Sequence, residues 1–236
     1  MRKRAIILIP VVLVLSIFLI GFRSGSYFLG KNDFLSLKES PGKSIRITGE
    51  PADSLSIITG TALPDSLKSE DTLLVAWKSR YRMCLFHEGK IIKTYIIGLG
   101  QNPLGHKLQQ GDNRTPEGDY RIIEKSTGPF DGDYAAWFGV AWMRLNYPNN
   151  ADAISGFDRK LITKEEKNSI INANNAGKRP PKFTKLGGGI GIHGWNGSWP
   201  ENDRQNLTWG CITVQNGELN DLYARINLGT RIVIYP

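Results

Sequence analysis

The chain has 236 residues, of which 40% are hydrophobic and 10% aromatic, and it carries a formal net charge of +8. This composition excludes a wholly disordered chain, and the length allows one sizeable domain with appendages. The positive charge is spread along the chain without an Arg/Lys-rich tract or a basic recognition helix, which argues against a nucleic-acid partner.

The first segment, residues 1–23, is predicted to be a membrane anchor. Three cations at positions 2–4 precede an apolar run over residues 5–22, and a run of about 18 residues is just long enough to span a hydrocarbon core. The preceding cations place the N-terminus in the cytoplasm and predict export of the rest of the chain. The small residues at 24–26 leave a cleaved signal peptide, and so a secreted protein, as the alternative. For an exported chain, an anionic cell-wall surface is the partner that suits the positive charge.

Residues 24–70 mix small, polar and charged side chains and are expected to form a spacer, with short strands around 44–49 and 55–58. The compact domain is predicted to span 71–236. Strands are predicted at 72–78, 81–87, 90–98, 119–125, 138–147 and 229–235.

Two of these strands flank Glu88-Gly89, a pair typical of a hairpin turn. Helices are predicted at 163–173, where Thr163 and Glu166 have capping-box spacing, and at 217–226. Strands dominate, so we expect a β-sandwich with one or two short helices. There is no βαβ alternation to indicate a parallel sheet.

The polar segment 149–185 looks like an insertion in this domain. A lid over a cleft and a surface for a partner are both compatible with its composition, and the sequence does not choose between them.

One of only three histidines, His193, and one of only two cysteines, Cys211, lie in the same stretch, each beside a glycine. A thiol becomes a strong nucleophile when an imidazole takes its proton or lowers its pKa. Glycine allows a substrate carbonyl to approach the backbone closely. The chain between them contains Trp195, Trp199 and Trp209, which are expected to wall the site and exclude water. This arrangement predicts cysteine-dependent acyl transfer.

The remaining histidines and the second cysteine have simpler interpretations. His87 borders the hairpin turn and is expected to be solvated, whereas His106 precedes a Thr-Pro motif and is a weaker candidate for a substrate loop. No cluster with metal-ligand spacing is apparent, so no metal site is predicted. Cys84 lies in a strand-like run and is expected to pack as a small hydrophobe, with a bridge to Cys211 as the alternative.

The chemistry-bearing residues resemble a known family. The pair His193-Gly194, followed by the run Thr-Trp-Gly-Cys-Ile at 208–212, is similar to the signature of the L,D-transpeptidase (YkuD-type) catalytic domain. Residues 111–120 resemble its upstream Thr-Pro-x-Gly-aromatic segment, and residues 229–234 its closing Gly-Thr strand. The resemblance covers about residues 71–236 and implies a β-sandwich with the catalytic groups on one rim. Sortases, which also place His before Cys and rely on a later arginine, are the more distant alternative.

The resemblance implies roles residue by residue. Cys211 would be the nucleophile, His193 the general base, and the backbone carbonyl of Gly194 the group that orients the imidazole. The N–H of Cys211, with that of Gly210, would form the oxyanion hole. Thr208 would either hold this turn through a local hydrogen bond or be a plain turn-stabilising residue.

Two positions depart from the commonest signature, Trp209 before the cysteine and Thr213 after it. The pattern Gly-Cys-Ile-x-Val-x-Asn at 210–216 is similar to a subgroup that tolerates such changes and that includes enzymes which cut the bond. Residues close to the cysteine help to hold the peptide, so Thr208, Trp209, Thr213 and Trp195 are the expected substrate-binding positions.

By resemblance, the expected activity is that of a peptidoglycan L,D-transpeptidase. A cysteine thioester would form on a stem tetrapeptide and pass to an amine acceptor, with no cofactor. The expected partners are peptidoglycan stem peptides and the inner membrane, and the expected location is the bacterial cell envelope. Hydrolysis of the same bond by an amidase or carboxypeptidase remains an alternative, as does a non-catalytic wall-binding module.

Overall fold

The computed structural model describes Leu67 and residues 69–132, 135–199 and 204–236. The anchor predicted at 1–23, nearly all of the spacer predicted at 24–70, and the strands expected around 44–49 and 55–58 lie outside these residues. Within the described part of the chain, no helix is both long enough and apolar enough to cross a membrane.

The described residues form ten strands. They are β1 (Thr72–Trp77), β2 (Arg82–His87), β3 (Lys90–Ile96), β4 (Gly98–Gly100), β5 (Gly118–Thr127), β6 (Ala141–Leu145), β7 (Gly191–His193), β8 (Gln205–Thr208), β9 (Ile212–Thr213) and β10 (Arg231–Tyr235). Their hydrogen-bonded order is β3-β2-β1-β10-β5-β6-β7-β9-β4-β8. The prediction of a β-dominated domain is therefore confirmed, but the strands follow one curled order and not two separate sheets.

The first half of the sheet follows the sequence pattern closely. β1 carries four consecutive buried residues between half-buried ends, and it pairs antiparallel with β2. β2 and β3 form the predicted hairpin, and its turn residues Glu88 and Gly89 have φ values of 47° and 72°. Positive φ at both positions fits a primed turn, whose twist matches that of the strands it joins. The hairpin prediction is confirmed.

β5 joins the two halves of the sheet. It pairs antiparallel with β10 on one side and with β6 on the other, and its register to β6 shifts between Ile122 and Glu124. Such an irregularity bends a strand and increases its twist. Inward-facing side chains of both halves share one core, which includes Leu74 from β1 and Ile192 from β7.

Three neighbouring pairs in this sheet are parallel: β1 with β10, β4 with β8, and β7 with β9. The absence of βαβ alternation along the chain gave no indication of these parallel pairs. The βαβ criterion looks for consecutive strands, whereas each of these pairs has other strands between its members along the chain. The third pair matters for function because it places the segments around His193 and Cys211 side by side.

Three α-helices lie within the described residues: α1 (Asn150–Asp158), α2 (Lys164–Asn175) and α3 (Asn216–Arg225). The capping box predicted for α2 is present, with Thr163 and Glu166 exchanging hydrogen bonds of 2.8 and 3.2 Å. The expectation of one or two helices missed α1. That helix contains Gly156, and its own capping box uses Asn149 and Asp152, a less familiar pair.

The segment 149–185 contains α1 and α2, which pack on each other. A separate apolar cluster joins them through Ala153, Ile162, Ile170 and Leu186. The segment is thus a folded helical pair with a small core of its own, and its last residues lead directly towards β7.

Candidate active site

His193 is the last residue of β7, where it lies between two other strands. It pairs with Trp142 of β6 on one side and with Thr213 of β9 on the other, and its side chain is only 3% exposed. The Trp142 ring stacks against the imidazole with centroids 5.6 Å apart, and the Phe138 ring meets it edge-on at 5.0 Å. This burial lowers the pKa of His193 to about 4, because the charged imidazolium loses its hydration. The imidazole is therefore neutral at physiological pH.

The backbone fixes which imidazole nitrogen carries the proton. His193 Nδ1 lies 2.6 Å from the carbonyl oxygen of Gly194. A carbonyl oxygen can only accept, so Nδ1 donates and the lone pair resides on Nε2. The sequence-based expectation that Gly194 contacts the imidazole thus matches the observed geometry, and Nε2 is left as the basic atom.

Cys211 immediately precedes β9, and its side chain is partly exposed. Its Sγ lies 3.8 Å from the carbonyl oxygen of Gly189. Burial raises the pKa of Cys211 to about 11, while a hydrogen bond from the Gly191 N–H and the charges of Lys107 and Arg144 act in the opposite direction. Over most of the accessible pH range the resting site therefore holds a neutral thiol and a neutral imidazole. A base is then required at the moment of attack.

The two cysteines are both free thiols, so the alternative of a bridge between them is excluded. Cys84 is completely buried in an apolar cluster with Val75 and Phe86. The expectation that it packs as a small hydrophobe is confirmed.

Thr208 holds the turn that leads into Cys211. Its hydroxyl donates to the Cys211 carbonyl oxygen at 2.7 Å and accepts the Gly210 N–H at 3.1 Å. The Gly210 N–H is thus already bonded, which counts against the prediction that it contributes to an oxyanion hole. Glycine is required here for a different reason: φ is +134°, and a Cβ would lie 2.7 Å from the Arg114 carbonyl oxygen.

The Thr-Pro segment lies next to this turn, with the Arg114 carbonyl oxygen close to Gly210. Thr115 is buried, and its hydroxyl accepts the Gly100 N–H at 2.9 Å. The buried ammonium of Lys78 donates to the Thr115 carbonyl at 3.0 Å and to Glu117 at 2.8 Å. Just upstream, the Asp112 carboxylate accepts backbone N–H groups and the Lys107 ammonium, at 2.7 Å for the latter. The motif therefore fixes a loop whose preceding residues reach the cleft.

A cleft of about 450 Å³ opens over the two catalytic candidates. Its lining comprises Lys107, Gln110, Gly111, Asn113, Trp137, Phe138, Lys182, Phe183, Gly187, Gly188, Gly189, Ile190, His193, Trp195, Leu207, Thr208, Trp209 and Cys211. Of the residues predicted for the site, it contains His193, Cys211, Thr208, Trp195 and Trp209.

Thr213 does not belong to this lining. Its side chain is 0% exposed, and a Cβ on Gly98 would lie 2.2 Å from its hydroxyl. The role of Thr213 in substrate binding remains a prediction, and this burial argues against it. Successive residues of a strand point to opposite faces, so proximity to Cys211 in the sequence does not by itself place Thr213 in the cleft.

The cleft lining also includes residues that the sequence did not predict for the site. Lys182 and the 90% exposed Phe183 come from the end of the segment 149–185, followed by the glycines at 187–189. The glycine run is visible in the sequence, but by itself it indicates only a flexible approach to the His193 strand. Among the described lining residues, the charged side chains are Lys107 and Lys182, and none is a carboxylate. Because Lys107 is ion-paired with Asp112 at 2.7 Å, the attraction of the cleft for an anionic ligand rests on Lys182.

The other two histidines lie outside the cleft lining. His106 Nδ1 accepts the Glu117 N–H at 3.0 Å, and its Nε2 lies 3.0 Å from Asp152, so it connects the Thr-Pro segment to α1. This places His106 in a structural contact and not in a substrate loop. His87 is exposed beside Asp71 and Glu88, and these three alone among the described residues lie close enough together to hold a metal ion. All three are exposed, and none of them belongs to the cleft lining.

The chain was compared with protein-family models, curated sequences and solved structures, and one family model matches a region that includes His193 and Cys211. The family model for the L,D-transpeptidase catalytic domain (YkuD) matches residues 71–234. Curated protein sequences give no significant match.

Several solved structures are similar to part of this chain. Bd1075 of Bdellovibrio bacteriovorus is 22% identical with a TM-score of 0.46, over 70% of this chain and 48% of that one. The helical cell shape determining protein Pgp2 of Campylobacter jejuni is 22% identical with a TM-score of 0.47, over 69% and 46%. An L,D-transpeptidase from Mycobacterium smegmatis is 14% identical with a TM-score of 0.42, over 70% and 59%. The chain thus spans about half the length of the first two proteins.

Proposed function

Because the chain belongs to the L,D-transpeptidase (YkuD) catalytic domain family, we propose that it acts on peptidoglycan stem peptides through a Cys211 thioester and passes the acyl group to an amine acceptor. The observation that carries this proposal is the placement of a free thiol and of an imidazole with an unprotonated Nε2 in one cleft. The sequence-predicted anchor would hold the domain on the outer face of the inner membrane.

The first half of the reaction transfers an acyl group to sulfur. As Cys211 Sγ attacks the carbonyl carbon of the donor's scissile bond, His193 Nε2 takes the thiol proton and the carbonyl oxygen becomes an oxyanion. We assign the stabilisation of that oxyanion to the Cys211 N–H, since the Gly210 N–H is bonded to Thr208. The C–N bond then breaks, the leaving amine of the terminal D-amino acid receives the proton from His193, and a thioester remains.

In the second half, His193 takes a proton from the incoming amine. The amine nitrogen attacks the thioester carbon, the C–S bond breaks, and the thiol is restored with the proton that His193 returns. The lowered pKa of His193 keeps the imidazole unprotonated at neutral pH, so that Nε2 can accept a proton at the start of each half-reaction. Lys182 would attract the carboxylates of the stem peptide to the cleft.

Intact-protein mass spectrometry with a stem tetrapeptide donor tests the proposal. The wild-type protein and Cys84→Ala are expected to gain the mass of the acyl group, whereas Cys211→Ala is expected to gain none. An adduct on Cys211→Ala would refute the assignment. Product analysis then identifies the acceptor: a crosslinked dimer supports transfer to an amine, whereas free tripeptide alone would assign the hydrolytic alternative.

A further inference from the structure

Asn216, the last residue of the Gly-Cys-Ile-x-Val-x-Asn pattern, lies at the first position of α3 and connects three segments of the chain. Its Oδ1 accepts the Val140 N–H at 3.3 Å. Its Nδ2 donates to the Trp195 carbonyl at 3.3 Å and to the Asn196 side chain at 2.9 Å. These partners determine the orientation of the amide, since a backbone N–H can only donate and a carbonyl can only accept.

Two glycines make room for this amide. A Cβ on Gly139 and a Cβ on Gly194 would each lie 2.0 Å from Asn216 Oδ1. The same Cβ on Gly139 would lie 2.7 Å from the Gly194 Cα, so the two backbones are in close contact. Asn216 Oδ1 therefore fits in this position only because residues 139 and 194 are glycines, without a Cβ.

The Gly194 peptide links this amide to the catalytic histidine. The Gly194 N–H donates to the Phe138 carbonyl at 3.0 Å, and the Gly194 carbonyl accepts the His193 Nδ1–H at 2.6 Å. The Phe138 ring also packs against the imidazole. Asn216 bonds to both sides of this arrangement, to Val140 in the segment between Phe138 and β6 and to Trp195, which follows Gly194.

We propose that Asn216 is a positioning residue for the general base. By joining the Val140 N–H to the Trp195 carbonyl, its amide keeps the Gly194 carbonyl directed at His193 Nδ1 and so keeps the Nε2 lone pair available to the Cys211 thiol. The catalytic consequence rests on the proposed function. The effect on the tautomer of His193 does not, because it exists in the free protein.

The amide group is chemically suited to this position. Aspartate would keep an acceptor for the Val140 N–H but would lose both donors and place a carboxylate against the Trp195 carbonyl oxygen. Alanine would lose all three hydrogen bonds and leave a gap between the two glycines. Both changes are expected to release the Gly194 peptide.

The test compares Asn216→Ala and Asn216→Asp with Asn220→Ala, an exposed asparagine of the same helix that controls for the change in helix propensity. Imidazole ¹⁵N shifts at neutral pH are expected to show His193 protonated at Nδ1 in the wild type and in Asn220→Ala. In both Asn216 variants they are expected to move towards the Nε2–H form. With a tetrapeptide donor, kcat of the Asn216 variants is expected to fall about 10- to 100-fold, with KM within about 2-fold, since small misplacement of a catalytic group has costs of this size.

Asn216→Asp preserves the size of the side chain, so it remains informative if Asn216→Ala does not fold. Folded Asn216 variants with the wild-type tautomer and wild-type kcat would overturn the proposal. So would a loss confined to KM, or an equal loss in Asn220→Ala. If the wild-type protein shows no transfer from the tetrapeptide, the proposed function fails, while the ¹⁵N shifts still decide the role of Asn216.

Discussion

Cys84 and Cys211 are thiols with similarly raised pKa values, but they differ in exposure and in the groups that surround them. Burial raises the pKa of both thiols to about 11. Cys84 lies in the middle of β2, is 0% exposed, and its sulfur lies 3.4 Å from the Thr94 hydroxyl. Cys211 lies at the start of a two-residue strand, partly exposed, in the cleft that His193 also lines. Acidity in the resting state therefore does not distinguish a structural cysteine from a reactive one; access and a neighbouring base do.

The largest expected difference is in alkylation of the native protein. Iodoacetamide should label Cys211 and leave Cys84 unmodified, because Cys84 reacts only when the strand opens; we expect protection on the order of 10³-fold or more. Peptide mapping after timed labelling measures both rates in one sample. In denaturant the two rates should converge. Similar rates in the native protein would show that the core around β2 is open and would remove the basis of the comparison.

The second prediction removes the base. His193→Gln is expected to slow formation of the acyl-enzyme about 10²- to 10⁴-fold, the usual contribution of a general base. In the wild type, the rate should fall below about pH 4, where protonation of His193 removes the lone pair on Nε2. In His193→Gln this acid limb should disappear, and the remaining rate should rise about tenfold per pH unit until the thiol titrates near pH 11.

The control for this experiment is the same substitution in His106, a partly buried histidine. His106 contacts Glu117 and Asp152 and does not line the cleft. His106→Gln is therefore expected to lower stability but to retain the acid limb. If both variants lose that limb, its origin lies outside the active site.

The contrast between the two cysteines also shows which features of the fold and of the site can be predicted from the sequence alone. Local pattern identifies the strand around Cys84, the Glu88-Gly89 turn and the capping box at Thr163, because each of these depends on residues close together in the chain. It also identifies His193 and Cys211, because rare residues beside glycines are visible without a structure.

The features that the sequence does not reveal depend on distant parts of the chain meeting. Lys107 and Lys182 come to the same cleft from separate loops, and no local pattern relates them. The space for Asn216 is created by Gly139 and Gly194, which come from two different segments. The sequence places Thr213 in the site because it lies close to Cys211, whereas only the three-dimensional fold shows that it faces the core.

The smallest expected effect concerns the turn that presents Cys211, and two neighbouring threonines provide a matched pair. Thr208→Val removes the hydroxyl that bonds the Gly210 N–H and the Cys211 carbonyl. The acyl-enzyme should then form about tenfold more slowly, since loss of a hydrogen-bonded support is worth about 1–2 kcal/mol. Thr213→Val removes a buried hydroxyl that has no hydrogen-bond partner among the described residues. It is expected to leave the rate unchanged and to maintain or raise the melting temperature.

Single-turnover mass spectrometry and thermal unfolding of both variants measure these two effects. Equal loss of rate in Thr208→Val and Thr213→Val would return Thr213 to the substrate-binding role that its burial argues against. Loss in Thr208→Val alone would show that the turn before Cys211, and not merely a cysteine near a histidine, separates the reactive thiol from the structural one. In that case a free thiol at position 84 lacks more than exposure: it also lacks a backbone turn that holds its sulfur and its N–H in fixed positions relative to a substrate carbonyl.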